Sequence, residues 1–90
     1  MNNKVLVKVF APEFGREFDV IIPVNYLIWK INKMFAKCIG DLCDVAVDLK
    51  KEFILINKKT DEIYRNNTII RDTDIRNGTE LIFLSQDKKM

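Results

Sequence analysis

A chain of 90 residues, 48% hydrophobic and 31% charged with a net charge of +2, has the composition of one small globular domain, too apolar for disorder and too evenly charged for a nucleic-acid footprint. Its longest apolar runs, such as Phe53-Ile54-Leu55-Ile56 and Leu81-Ile82-Phe83-Leu84, fall far below the ~20 residues a membrane helix needs, so no membrane insertion is expected. The start, Met1-Asn2-Asn3-Lys4, lacks the charged and apolar regions of a secretion signal, which predicts a cytoplasmic protein with Cys38 and Cys43 as reduced thiols.

Lys4 to Ala11 is rich in β-branched residues, Pro12-Glu13-Phe14-Gly15 supplies turn chemistry, and Arg16 to Ile22 resumes the extended pattern, which together predict a hairpin. Val5, Val7 and Val9 share one face and Leu6, Lys8 and Phe10 the other. The odd set, joined by Phe18, Val20 and Ile22, is the expected core. Pro23 stops the second strand, and Asn25 is a candidate N-cap for a helix running to about Ile39 with Gly40 as its stop. At 100° per residue, Val24, Leu27, Ile28, Ile31, Met34, Phe35, Cys38 and Ile39 gather on one broad apolar face that should pack on the sheet. Tyr26, Lys30, Lys33 and Lys37 lie opposite, with Trp29 and Ala36 at the edge.

Residues 41 to 51 read as an irregular, partly packed crossover. Glu52 to Asn57 is the third strand, and Lys58-Lys59-Thr60-Asp61 turns into a short fourth, Glu62 to Arg65. Ile69, Ile70 and Ile75 then pin a loop in which Asp72-Thr73-Asp74 has the look of a capped helical turn, and Thr79 to Ser85 closes the sheet. The order of elements predicts an α+β β-grasp fold, a mixed four- to five-stranded sheet packed on one helix. Residues 1–85 form one domain in this reading, and 86–90 a flexible tail.

The stretch Thr68-Ile-Ile-Arg-Asp-Thr-Asp-Ile-Arg-Asn-Gly-Thr-Glu-Leu-Ile-Phe-Leu84 resembles the end of ubiquitin-like domains, where a hydrophobe, an aspartate, an isoleucine, a polar turn and a hydrophobic strand follow in that order. Within that superfamily the chain is most similar to the small bacterial YukD/EsaB proteins, which share its compact length and the isoleucine-x-asparagine-glycine turn before the last strand. The resemblance implies a non-catalytic accessory or regulatory component of the type VII (WXG100/ESX) secretion system of Gram-positive bacteria, acting through contacts with a protein of that machine. Conjugation of ubiquitin requires a tail ending in Gly-Gly. No diglycine occurs here, and the sequence ends Ser85-Gln-Asp-Lys-Lys-Met90, which predicts a module that is neither a conjugated modifier nor a sulfur carrier.

The residue inventory argues against catalysis and against cofactors. With no histidine, Ser-His and Cys-His nucleophile systems and imidazole metal ligation are excluded. Two cysteines alone cannot close a four-ligand zinc site. The three glycines are too far apart to cradle a phosphate. Asp72-x-Asp74 begins like a calcium loop, but Arg76 and Asn77 stand where the next oxygen ligand and the glycine belong.

Two surfaces survive. On the outer helix face, Tyr26, Trp29, Lys30, Lys33 and Lys37 combine aromatic and cationic groups in the manner of binding anchors; the alternative is that Trp29 lies on the crossover beside Val45 or Val47. On the sheet, if Phe53 and Leu55 point inward with Leu81 and Phe83, then Ile54, Ile56, Ile82 and Leu84 point outward as a docking patch. Continuous apolar runs leave the opposite register open. The competing function is a nucleic-acid-binding domain that uses the helix lysines and Trp29 as charge and stacking platform.

Overall fold

The computed structural model describes residues 3–44 and 51–86. The readings made for Val45, Val47 and the rest of 45–50 within the 41–51 crossover, and for the tail from 87 on, lie outside the described residues. Strands β1 (Lys4–Ala11) and β2 (Arg16–Pro23) form the expected hairpin, helix α1 (Ile28–Cys43) follows, and β3 (Glu52–Asn57) and β4 (Glu80–Gln86) complete one sheet of order β2-β1-β4-β3. The β1–β4 pair is parallel and the other two are antiparallel. Between β1 and β2, Pro12–Phe14 make one 3₁₀ turn that ends on Gly15 at φ 61°, a left-handed conformation that glycine adopts without a Cβ penalty. From that turn Glu13 reaches the far end of β4, where its two carboxylate oxygens accept from the Ser85 N–H and Oγ, each at 2.7 Å.

The helix lies on one face of the sheet, and the core fills the space between. Val7, Val9, Ile22, Leu55, Leu81 and Phe83 come from the strands, and Ile28, Ile31, Phe35, Ala36 and Ile39 from α1. The odd residues of β1 and the Phe53/Leu55 and Leu81/Phe83 sets point inward, as the alternation predicts. Phe83 is the hub. Its ring stacks on Phe53 at 4.9 Å between centroids and meets Phe35 edge-on at 5.7 Å, and Phe35 meets Phe18 in the same manner at 6.0 Å. The two edge-on pairs set ring edges against ring faces, and each of the three pairs adds about 0.5–1.5 kcal/mol beyond area burial.

Several expectations are corrected. The helix begins at Ile28, two residues after an Asn25 cap would place it, because the N–H groups of its first turn are satisfied by a distant loop: Ile28 N–H donates to the Thr68 carbonyl at 2.9 Å and Trp29 N–H to the Asn66 carbonyl at 3.0 Å. Tertiary contacts thus replace the side-chain cap. It also passes through Gly40 and ends on Asp44, whose left-handed backbone (φ 54°, ψ 45°) donates its N–H back to the Gly40 carbonyl. Ala36, expected at the edge, is buried, whereas Met34 on the expected core face is exposed.

The predicted fourth strand shrinks to a single bridge between Ile56 and Ile63, so the sheet has four strands among the described residues. Asp61, at φ 62°, turns the chain sharply, Tyr64 swings inward, and the following residues leave to meet the helix start. The helical turn expected at Asp72-Thr73-Asp74 forms slightly earlier, at Ile70–Asp72, closed by Thr73 Oγ1 donating to the Ile70 carbonyl at 2.6 Å and accepting from Ile75 N–H at 3.1 Å. Ile70 and Ile75 plug the core as expected. The last strand starts at Glu80 and includes Gln86, one residue beyond its expected end.

Candidate functional site

The outer face of the sheet, turned away from α1, carries the first candidate set. Ile54 pairs with Leu84 and Ile56 with Ile82 across β3 and β4, so the four aliphatics form one block. All four are half-buried. Two neighbours enlarge the block: Phe10, which lies opposite Ile82 on β1, and Ile63, which bridges Ile56 and is 59% exposed. Farther along the same face Leu6 and Ile21 pair across the hairpin at 48% and 60% exposure. A row of charges separates the two apolar areas, in which Lys8 pairs with Asp19 at 3.4 Å. Lys58 stretches its ammonium over the Phe10 ring, 4.0 Å from the centroid.

The second set lies on the opposite layer. Trp29, Lys33 and Lys37 succeed one another at four-residue steps along α1, and the Lys33 ammonium sits 5.7 Å from the Trp29 ring centroid. Tyr26 precedes the helix, packs partly on the core, and carries the Lys30 ammonium 5.2 Å from its ring centroid. Trp29 remains 42% exposed. It forms one wall of an open groove of about 440 Å³ with Asn32, Lys33, Lys51, Glu52, Phe53 and Asn66. Asn32 is the polar member of the buried helix face. Its amide Nδ2 donates to the Phe53 carbonyl at 3.2 Å and to Asn66 Oδ1 at 3.3 Å, while its own Oδ1 is buried without a partner. The two candidate sets therefore make two surfaces facing opposite ways.

A third polar cluster ties the second half of the chain together. The Tyr64 hydroxyl donates to Asp74 Oδ1 at 2.5 Å and accepts from Asn57 Nδ2 at 2.9 Å. Burial, followed by the bond to Asp74, raises the Tyr64 pKa well above its ordinary value. Asn57 meanwhile holds the β3 turn, accepting from the N–H groups of Lys59 and Thr60 at 2.9 and 3.2 Å. The cluster has the geometry of a brace. Among the described residues no three His, Cys, Asp or Glu side chains converge to hold a metal ion.

A scan of protein-family models gives no match to the chain, and neither does a search of curated proteins. Solved structures do match. A chain of the MycP5-free ESX-5 inner membrane complex superposes with a TM-score of 0.80 at 15% identity over 99% of this chain, which spans only 22% of that longer chain. The EccD5 ubiquitin-like domain from Mycobacterium xenopi gives 0.69 at 15% identity, covering 98% of this chain and 100% of that one. A chain of the toluene 4 monooxygenase HD complex with 4-bromobenzoate gives 0.77 at 10% identity, with 92% and 99% covered. The chain has the ubiquitin-like β-grasp fold.

The reading of the ubiquitin-like sheet face from sequence finds the right alternate set on β3 and β4 but misses Ile21 and Ile63. Ile21, between the core-facing residues Val20 and Ile22, is turned outward by the same alternation, and the strand register then sets it opposite Leu6. Ile63 becomes visible once the fourth strand is reduced to one bridge. Asn32 is missed because a polar residue among helix hydrophobes reads as solvent-facing. No helix among the described residues is long and apolar enough to cross a membrane.

Proposed function

We propose that this ubiquitin-like chain is a non-conjugated protein-interaction module and serves as a cytosolic accessory or regulatory component of a type VII (WXG100/ESX) secretion system, in the manner of YukD/EsaB proteins. The observation that carries the reading is the outer sheet face, where Ile54, Ile56, Ile82 and Leu84 join Phe10 and Ile63 as a contiguous apolar patch. Contiguous apolar patches that stay partly open to solvent, as this one does with Ile63 at its edge, mark partner surfaces. The superposition on a component of the ESX-5 inner membrane complex supports the choice of machine, and the absence of a diglycine in the 90 residues supports the non-conjugated form.

In mechanism the module docks. Covering the aliphatic patch supplies on the order of 25 cal/mol per Å² before the costs of association. Lys30, Lys33 and Lys37, on the other layer, act at longer range to steer an acidic partner and contribute to association rate more than to affinity. Titration of the purified chain against the cytosolic domains of the secretion components from its own host tests this. Ile82→Glu and Ile56→Glu should weaken binding at least tenfold while the circular dichroism spectrum is unchanged. Affinity for none of those components, or full affinity in both variants, would refute the proposal.

A further inference from the structure

We propose that the outer sheet face also pairs with a second copy of this chain, about a two-fold axis running along the strands. One row of side chains carries the inference. Lys8 on β1 is opposite Asp19 on β2 and, on its other side, opposite Glu80 on β4. One step beyond the β3–β4 ladder, Lys58 donates its N–H to the Glu80 carbonyl at 3.0 Å. Its ammonium over Phe10 puts that side chain on the outer face too. Read across the sheet, the row is Asp19, Lys8, Glu80, Lys58, with signs minus, plus, minus, plus.

A row of that pattern is its own complement when reversed. A two-fold axis parallel to the strands and between β1 and β4 reverses strand order and leaves each row at its own height, which brings Asp19 over Lys58 of the second copy and Lys8 over its Glu80. An axis across the strands would instead lay every charge on its own kind, and like charges in contact are strongly disfavoured. The charges therefore select one arrangement. In the adjoining row the same operation lays Phe10 over Ile82 and Ile82 over Phe10, placing the apolar centre beside four opposite-charge contacts. Ile56 then comes over exposed Glu17, whose carboxylate can turn to solvent at the rim.

Lys58 has a part in both states. In the single chain it covers the Phe10 ring, and in the pair it moves to the carboxylate of Asp19 and uncovers the ring. Four strands about 4.8 Å apart and roughly seven residues at about 3.4 Å make a face of roughly 450 Å². Two such faces fall in the range of weak, reversible association. The inference rests on the charge row and not on the secretion reading, and the residues tested below lie outside the Ile54, Ile56, Ile82 and Leu84 block.

Sedimentation equilibrium of the full chain tests it, from about 10 µM to about 1 mM, with reductant present so that Cys38 and Cys43 stay thiols. The mass should rise from one chain towards two, and 0.5 M salt should weaken the rise. Asp19→Lys and Lys58→Glu, both at exposed positions, should each lose at least tenfold in self-association, because like charges then meet. Mixed one to one they should recover it, since the two introduced side chains then face each other with opposite sign. A wild-type mass of one chain at the highest concentration, variants that associate as the wild type does, or a mixture that fails to recover would each overturn the proposal. Should either variant misfold, Lys8→Glu mixed with Glu80→Lys poses the same question.

Discussion

Replacing Tyr64 by Phe removes one oxygen and tests the brace that joins β3 to the loop before β4. The hydroxyl donates to a carboxylate at 2.5 Å, and a bond to a charged group contributes ~1.5–3 kcal/mol. It also accepts from the buried Asn57 amide, which without it loses that acceptor, a loss of ~1–3 kcal/mol. Asp74 is exposed enough for water to take the place of the phenol, so Tyr64→Phe should destabilise by about 2–4 kcal/mol at pH 7 in urea denaturation. The difference should also depend on pH. Burial and the bond to Asp74 hold the native phenol protonated above its ordinary value, whereas in the unfolded chain it ionises near pH ~10. Tyr64 thus contributes its full stabilisation below pH ~10 and loses it as the pH rises towards the raised native value, by up to about 1.4 kcal/mol per pH unit. The phenylalanine variant lacks that slope, so the gap between the two proteins should narrow between pH 10 and 11. A gap under about 0.5 kcal/mol at pH 7, or one that stays constant to pH 11, would refute the account.

Further outcomes follow from backbone conformation and from the helix face. Gly78 holds φ +87° with open space around its missing Cβ, so Gly78→Ala should destabilise by about 1 kcal/mol through backbone strain alone, measured by thermal or urea unfolding. Asp44 ends α1 in the left-handed region, where glycine carries no penalty, and Asp44→Gly should stabilise by about 0.5–1 kcal/mol in the same assay. Trp29 is exposed enough to report on stacking. Its fluorescence should not respond to single-stranded oligonucleotides at 0.15 M salt, whereas a quench that falls steeply with salt would favour the nucleic-acid function instead.

Legibility followed the range of the interactions. The hairpin was readable because Val5, Val7 and Val9 alternate against Leu6, Lys8 and Phe10, and because the turn residues sit between the two runs. Ile70, Ile75 and the Asn77-Gly78 turn were readable for the same local reason. The helix start was not, because its determinants are carbonyl groups of Asn66 and Thr68, about forty residues away, and backbone carbonyls leave no mark on residue identity. Asn25 matched a cap in type and lacked the role. The reduced fourth strand depends on Tyr64 finding Asn57 and Asp74, three residues that no periodicity groups. On the outer sheet face, the sequence supplied Ile54, Ile56, Ile82 and Leu84, while the order in which charges line up across β2-β1-β4-β3 exists only once register is known.

The borrowed start of α1 has a consequence for how the domain assembles. Beyond the two helix amides, the Ile70 N–H donates to the Tyr26 carbonyl at 3.0 Å and the Arg71 N–H to the Val24 carbonyl at 2.8 Å, so the segment leading into the helix is stitched to the C-terminal half on both sides. In the first half of the chain alone, the Ile28 and Trp29 N–H groups would be left to water. Residues 66 to 71 must therefore be present before these bonds can form, which couples the order of the helix start to that of the C-terminal loop.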